Sequence, residues 1–446
     1  MSAELISILA LVVIFVLATT LSVNMGALAF AGAFLVGTLA GGLDADGIFA
    51  GFPGSIFVVL VGVTYLFAIA RANGTIDWLV AAAVRLVGGR IALVPWVMFV
   101  VTGVLTAIGA VSPAACAIVA PIALGFAARY NISPLLMGAM VVHGAQGGGF
   151  SPISVYGSIV NGIVDSNKLE GSPVFLFIAS LVMNTAIAAV LYVVLGGTRL
   201  SRTRQLVPVG AGAGAAGGGA DGVADDPEPP AEEKAREPLP HEQQVPLDAP
   251  KIATLLGLVA LVVATLVFDL DAGLTAITVA VILSVAWPSS SRKAVTEITW
   301  PTVLLICGVL TYIAVLQEIG TVDYVGNAVS NVGVPLVAAL LLCYIGGIVS
   351  AFASSTGLMG ALIPLAVPFL AQGTIGPIGM VAALAVSATM VDVSPFSTNG
   401  ALVLANANAR DFDRERFFRQ LMMYGGIVVA VAPLASWLVF VVPNWG

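Results

Sequence analysis

The segment Ser151-Pro152-Ile153-Ser154 returns as Ser394-Pro395-Phe396-Ser397, 243 positions further along the chain. The same register pairs Ser112 with Ser355, Pro121 with Pro364 and Gly157 with Gly400. Upstream, Gly62-Val63 and Gly74-Thr75-Ile76-Asp77-Trp78 recur as Gly308-Val309 and Gly320-Thr321-Val322-Asp323-Tyr324, with Gly74 and Gly320 separated by 246 positions. Chance does not hold a register over about 45 residues. The chain is a duplication, so whatever plan one half adopts the other must adopt as well.

The solvent for that plan follows from the charge content. Of the 446 residues, 59% are hydrophobic and 9% charged, with mean hydropathy +1.05, where a soluble chain carries about 25% charged residues. Too few charges remain to cover a water-facing surface, and the chain reads as an all-α polytopic membrane protein. A span needs about 20 apolar helical residues. The first half offers spans near 4–21, 25–42, 55–71, 133–164 and 172–196, and the second near 252–268, 273–287, 301–317, 376–409 and 417–441. Between the third and fourth spans lie a short amphipathic helix (77–88, 323–331) and a two-armed apolar segment (91–128, 334–371). That segment bends at 109–113 and at 352–356.

Residues 1–204 and 251–446 are thus two membrane repeats, joined by a linker at 205–250. The linker holds the Gly/Ala run 210–219 and then an acidic, Pro-rich stretch with nine acids and two bases. Such a segment cannot bury enough apolar surface to offset its ordering entropy and is expected to be disordered. It also accounts for the net charge of −7, since fifteen acids and fifteen bases remain outside it. No basic patch speaks for nucleic acid. Cys116, Cys307 and Cys343 fall in apolar runs without metal or disulfide spacing and read as small core residues.

Each half crosses an odd number of times whether the two-armed segment spans or re-enters, so the second repeat is expected to be inverted. Charge supports this. With the N-terminus outside, sixteen of seventeen bases fall in the cytoplasm and only Lys168 lies outside. The C-terminus is then outside and the linker cytoplasmic. The first span lacks a basic leader region and has a counterpart at 252–268, so it reads as a span rather than a cleaved signal. The Ala/Gly/Val-rich composition suits a bacterial inner membrane.

Inverted repeats with helices interrupted at matching places point to a secondary transporter. Serine is a favoured N-cap and proline a favoured first helical residue. Ser112-Pro113, Ser151-Pro152 and Ser394-Pro395 are therefore expected to start half-helices inside the membrane, and Ser354-Ser355-Thr356 supplies the cap chemistry at the fourth place. Half-helix N-termini present free N–H groups and a positive dipole end to an anion. Exposed carbonyls with Ser and Thr hydroxyls suit a small hard cation such as sodium. A Ser-Pro pair that merely kinks a packed helix is the alternative.

The segments 108–128, 143–162 and 387–406 resemble the MatC-type dicarboxylate (malonate) carriers of the ion transporter superfamily. The closest run is Gly144-Ala-Gln-Gly-Gly-Gly-Phe-Ser-Pro-Ile-Ser-Val-Tyr-Gly-Ser-Ile-Val-Asn-Gly162. More distantly the chain is similar to the divalent-anion/sodium symporters. The resemblance implies that each two-armed segment is a re-entrant hairpin and that 133–164 and 376–409 are helices unwound midway. It further implies a homodimer with an elevator-like transport domain, and sodium beside the substrate carboxylates. The sodium symporters carry Ser-Asn-Thr at both hairpin tips. Here the tips read Val111-Ser112-Pro113 and Ser354-Ser355-Thr356, so the amides would come from Gln146 and Asn399.

The substrate-binding candidates are Ser112, Gln146, Ser151, Ser154, Ser355, Thr356, Ser394, Ser397, Thr398 and Asn399. Ser112, Gly149, Ser355 and Asp392 are the coupling-ion candidates. Asp392 is an intramembrane carboxylate and a functional candidate by default, as a sodium ligand or proton carrier or else as a helix-end cap. Its repeat mate is Gly149, so the halves are chemically unequal there. His143 is the other possible proton site, against the role of a hydrogen-bonded packing residue. Asp77 and Asp323 read as caps of the amphipathic helices. The expected function is symport of a small dicarboxylate with sodium or protons. A sodium/proton antiporter or oxyanion carrier is the alternative on the same architecture. An intramembrane enzyme lacks HExxH or GxSxG support, and no nucleotide motif or resident cofactor is indicated.

Overall fold

The computed structural model describes residues 2–21, 23–86, 90–200, 246–321, 324, 334–351, 355–370, 373, 375–407 and 412–445. The linker as far as residue 245, nearly all of the second amphipathic segment including Asp323, and the bend at 352–354 lie outside the described residues. So does the Thr356 side chain. Among the described residues there are seventeen helices of eight or more residues and no strand.

The first half runs α1 (Ala3–Thr20), α2 (Met25–Leu39), α3 (Gly54–Ala72), α4 (Thr75–Leu86), α5 (Val94–Ala107), α6 (Ser112–Arg129), α7 (Pro134–Gly148), α8 (Val155–Ser166) and α9 (Pro173–Val194). The second half runs α10 (Ala249–Leu266), α11 (Ala272–Ala286), α12 (Trp300–Glu318), α13 (Pro335–Ser350), α14 (Ser355–Leu370), α15 (Pro377–Met390), α16 (Thr398–Ala405) and α17 (Arg414–Ser436). Helix by helix the order repeats, apart from α4, whose counterpart falls outside the described residues. Six stretches are long and apolar enough to cross a membrane: α3, α6, α9, α10, α12 and 414–441.

Local chemistry sets the ends. Asn24 accepts from the Gly26 and Ala27 amides at the start of α2, and Asp271 accepts from Leu274 at the start of α11. These caps satisfy amides that a helix start otherwise leaves open. Between α5 and α6 the chain reverses within 108–111, where Gly109 takes φ +119°, a conformation that favours glycine. At fourteen residues, α5 is about 21 Å long, short of a hydrocarbon core of about 30 Å.

The halves interlock by exchanging equivalent helices, α3 against α11 and α12 against α2. Glycines make both contacts. A Cβ on Gly62 would strike the Gly273 carbonyl, and a Cβ on Gly308 would strike the Gly26 carbonyl. Small residues permit such backbone approach between apolar helices, where packing rather than water exclusion drives association. Within the first half α5 lies equally close on α7, since Gly144 would meet Phe99 O and Gly148 would meet Gly103 O. The hairpin therefore rides on the interrupted helix of its own half. Its second arm, α6, packs on α16 of the other half, and α14 packs on α8 in the same exchanged way.

Candidate functional site

The interruption at 149–154 is a tight turn built on serine and glycine. Ser151 N–H donates to Gly148 O at 3.2 Å and Ser154 N–H to Ser151 O at 2.9 Å. The Ser154 hydroxyl then caps α8 by accepting from Gly157 N–H at 3.1 Å. In the second half Ser397 donates to Ser394 O at 2.7 Å, and Gly400 N–H reaches Asp392 O at 3.2 Å. A Cβ at Gly157 would strike Ser151 O and one at Gly400 would strike Ser394 O, so only glycine closes either turn. Here the structure departs from the expectation that Ser151-Pro152 and Ser394-Pro395 start helices. Each pair sits inside the turn, and the helices resume three residues later behind Ser154 and Ser397. α6 does open at Ser112-Pro113, although Val111 rather than Ser112 holds the cap position and no side chain caps it.

Asp392 closes the second interruption and is fully buried. Asn399 N–H donates to its Oδ1 at 3.2 Å and Asn399 Nδ2 to its Oδ2 at 2.9 Å. Gln146 Nε2, from the last turn of α7, donates to the same Oδ2 at 3.1 Å. The Ser355 and Ser397 side chains also lie close to the carboxyl. Ser355 accepts from Ser350 at 2.7 Å, which leaves its own proton for Asp392. Asn399 Nδ2 additionally donates to Ser112 Oγ at 2.8 Å. The starts of α6 and α14 and both interruptions thus gather around one carboxylate.

Two oxygens in this cluster have no partner. A carboxylate only accepts, so Gln146 and Asn399 must turn their NH₂ groups toward Asp392. Gln146 Oε1 and Asn399 Oδ1 then point elsewhere, buried and unsatisfied. A buried acceptor without a partner is costly, and an isolated buried carboxylate more so. Among the described residues no Lys or Arg pairs with Asp392. Carboxylate, carboxamide and hydroxyl oxygens form a hard-donor set that fits a small alkali cation or a proton. No group of three His, Cys, Asp or Glu occurs among the described residues.

The other candidates lie apart from this cluster or serve the backbone. Ser151 donates to Ala107 O and ties the first interruption to the end of α5. Ser394 accepts from Phe396 N–H at 3.2 Å, and Thr398 is exposed. A side chain at Gly149 would meet the Tyr156 ring, so the repeat mate of Asp392 has room for hydrogen alone. His143 is buried with both ring nitrogens engaged, Nδ1 with Asn184 Oδ1 at 2.8 Å and Nε2 with the Tyr424 hydroxyl. Asn184 directs its NH₂ to Ser180 O at 2.9 Å, so its oxygen must accept. His143 Nδ1–H therefore donates to Asn184 Oδ1, and Nε2 pairs with the Tyr424 hydroxyl. Both ring nitrogens are thus committed to partners within the protein. Asn73 rather than Asp77 caps α4, accepting from Thr75 N–H at 3.0 Å. All three cysteines are buried and free.

Asn184, Ser180, Ser350 and Tyr424 were not among the sequence candidates. Ser180 and Asn184 did leave a signal, two polar residues one turn apart in an otherwise apolar span. Ser180 uses it to hold the Gln146 carbonyl at 2.9 Å.

The family described as the N-terminus of the dicarboxylate carrier protein MatC matches residues 1–149. That stretch holds α1 to α7, the first hairpin and Gln146. Among curated proteins no relative matches the chain. Among solved structures it resembles the YdaH transporter of Alcanivorax borkumensis, with TM-score 0.55 and 17% identity over 89% of each chain. At that identity the likeness is one of fold. The carrier-family match over residues 1–149 and the transporter fold together place this chain among transporters rather than enzymes.

Proposed function

We propose that the protein is a secondary active carrier of a small dicarboxylate, such as malonate or a C4 acid, coupled to sodium or protons through Asp392. The meeting of four chain reversals or interruptions at one buried carboxylate carries this reading. The starts of α6 and α16 lie at this place, and helix starts attract carboxylates. The unpartnered oxygens of Gln146 and Asn399 beside Asp392 suit the coupling cation. Substrate class comes from the MatC-type match, extended here from residues 1–149 to the whole chain.

On this reading the halves are inverted repeats, each with five spans and one re-entrant hairpin. The exchanged packing of α3 with α11 and α12 with α2 supports it, as does the shortness of α5. Hairpins and interrupted helices move together as an elevator, because α5 and α7 touch backbone to backbone. The carrier works as a homodimer in a bacterial inner membrane, with termini outside and the linker in the cytoplasm.

The test is labelled malonate and succinate uptake by the full chain in proteoliposomes, under separately imposed sodium and proton gradients. Uptake that follows one gradient supports the reading and identifies the coupling ion. No uptake of either acid by folded protein overturns the substrate class. The absence of a basic partner for Asp392 among the described residues favours a sodium/proton antiporter as the second reading.

A further inference from the structure

A narrow cleft of about 80 Å³ lies between α3 and the α5–α6 hairpin. Its inner end is Ala110 and Val111, the residues just before Ser112. Its outer end is Arg71, at the end of α3, and Glu297, on the segment before α12. A second hollow adjoins it at Ala68, Arg71 and Glu297 and brings in Lys293. The cleft therefore leads from a charged mouth to the hairpin turn that Asn399 holds. We propose that this cleft is the access route for the dicarboxylate and that Arg71 is its first docking site, where a substrate carboxylate displaces Glu297. This inference rests on the carrier reading above.

Three observations support it. The Arg71–Glu297 pair is long, 4.0 Å, with side chains 60% and 51% exposed. Such a pair holds its partners weakly, so the guanidinium is free to exchange Glu297 for an arriving carboxylate. Arginine offers a planar fork that binds a carboxylate through two parallel hydrogen bonds. Next, the Thr299 hydroxyl lacks any partner although its oxygen is shielded, and Thr299 lines the same cleft. Finally, the small side chains of Ala68, Ala110, Ala114 and Ala115 line the cleft.

Charges on neighbouring elements set the sign of the test. Asp77 on α4 feels Arg71, and Glu297 faces it directly, while Lys293 adds a second base at the mouth. Glu297 competes with the substrate for Arg71. Removing the base and removing the acid must then act in opposite directions, which general damage to the fold would not produce.

Malonate uptake by full-length protein in proteoliposomes reads this out. Arg71→Gln is expected to raise KM roughly five- to tenfold at low ionic strength with Vmax little changed, and the gap narrows in high salt. Arg71→Lys recovers part of it, because the charge stays and the fork is lost. Glu297→Gln lowers KM. In a separate measurement, malonate slows maleimide labelling of Ala114→Cys in an otherwise wild-type chain whose own cysteines are buried. An unchanged KM in Arg71→Gln, or a KM moved the same way by Arg71→Gln and Glu297→Gln, overturns the proposal while wild-type uptake leaves the carrier reading standing. No malonate or succinate uptake by folded wild type removes both.

Discussion

Asn399 donates to Ser112 across 287 residues of sequence, with Nδ2 at 2.8 Å from the Ser112 hydroxyl. The same nitrogen lies 2.9 Å from Asp392 Oδ2. One side chain of the second half thus fastens the first half's hairpin turn to the buried carboxylate. Its other atom, Oδ1, has nothing to accept from. A cation placed there would bind carboxylate and carboxamide together, and the hairpin would feel its arrival through Ser112.

Asp392→Asn tests that coupling. The substitution is near-isosteric, but one of its two terminal atoms becomes a donor in a place already crowded with donors from Gln146 and Asn399. The expected result is folded protein, less stable by about 1–3 kcal/mol, with gradient-driven uptake reduced at least roughly tenfold. Wild-type melting temperature in detergent should rise with the coupling ion, because a ligand that binds only the folded state stabilises it. That rise should vanish in Asp392→Asn. Persistence of the ion-dependent rise in the variant would move the coupling site elsewhere.

The two turns make a stricter structural prediction. Gly157→Ala and Gly400→Ala each push a methyl into a turn carbonyl, so each should lower the melting temperature and abolish uptake. Gly426→Ala serves as the control. It lies on α17 with no atom within 4 Å of the added Cβ and should leave both unchanged. Gly400 carries the further consequence that its amide holds Asp392 O, so its replacement should also blunt any response to the coupling ion.

Asp248 gives a pH prediction outside the membrane core. Lys251 Nζ sits 2.7 Å from Asp248 Oδ2, and Asp248 Oδ1 caps α10 through Lys251 N–H. These bonds hold the Asp248 carboxyl below its ordinary value. A depressed folded value means the stabilisation is complete above the unfolded carboxylate value of about 3.9 and disappears as pH falls through the folded one. Asp248→Ala should therefore lower the melting temperature by the same amount at every pH from 6 to 8, with the deficit shrinking only in acid. Asp248→Asn, which keeps a cap, should lie between.

Much of this was legible because membrane burial writes itself into sequence. The apolar spans, the interruptions at 149–154 and 391–397 and the meeting of Ser112, Gln146, Ser355, Asp392 and Asn399 follow from hydropathy, repeat register and the rarity of buried charge. The helix restarts were misplaced by three residues because Ser-Pro is a local signal for a cap, while Gly157 and Gly400 fix the turn through a carbonyl six residues earlier. Lone-residue chemistry told least. Nothing local to His143 says that its partners are Asn184 on α9 and Tyr424 on α17, since both come from packing.

That packing leads to a last prediction. His143 joins α7, α9 and α17, and the next residue after Tyr424, Gly425, lies against Ser394 in the second interruption. The three helices therefore meet at one imidazole close to both interruptions. Tyr424→Phe leaves Nε2 buried without a partner, at a cost of about 1–3 kcal/mol. His143→Gln, which can still accept and donate, should cost less. Were His143 a proton carrier, either change would reshape the dependence of uptake on pH. As a strut it should leave that profile's shape intact between pH 5.5 and 8 and alter only stability and maximal rate. Uptake profiles of His143→Gln and Tyr424→Phe, each normalised to its own maximum, decide between the two roles, and a displaced midpoint in either would restore His143 as a proton site.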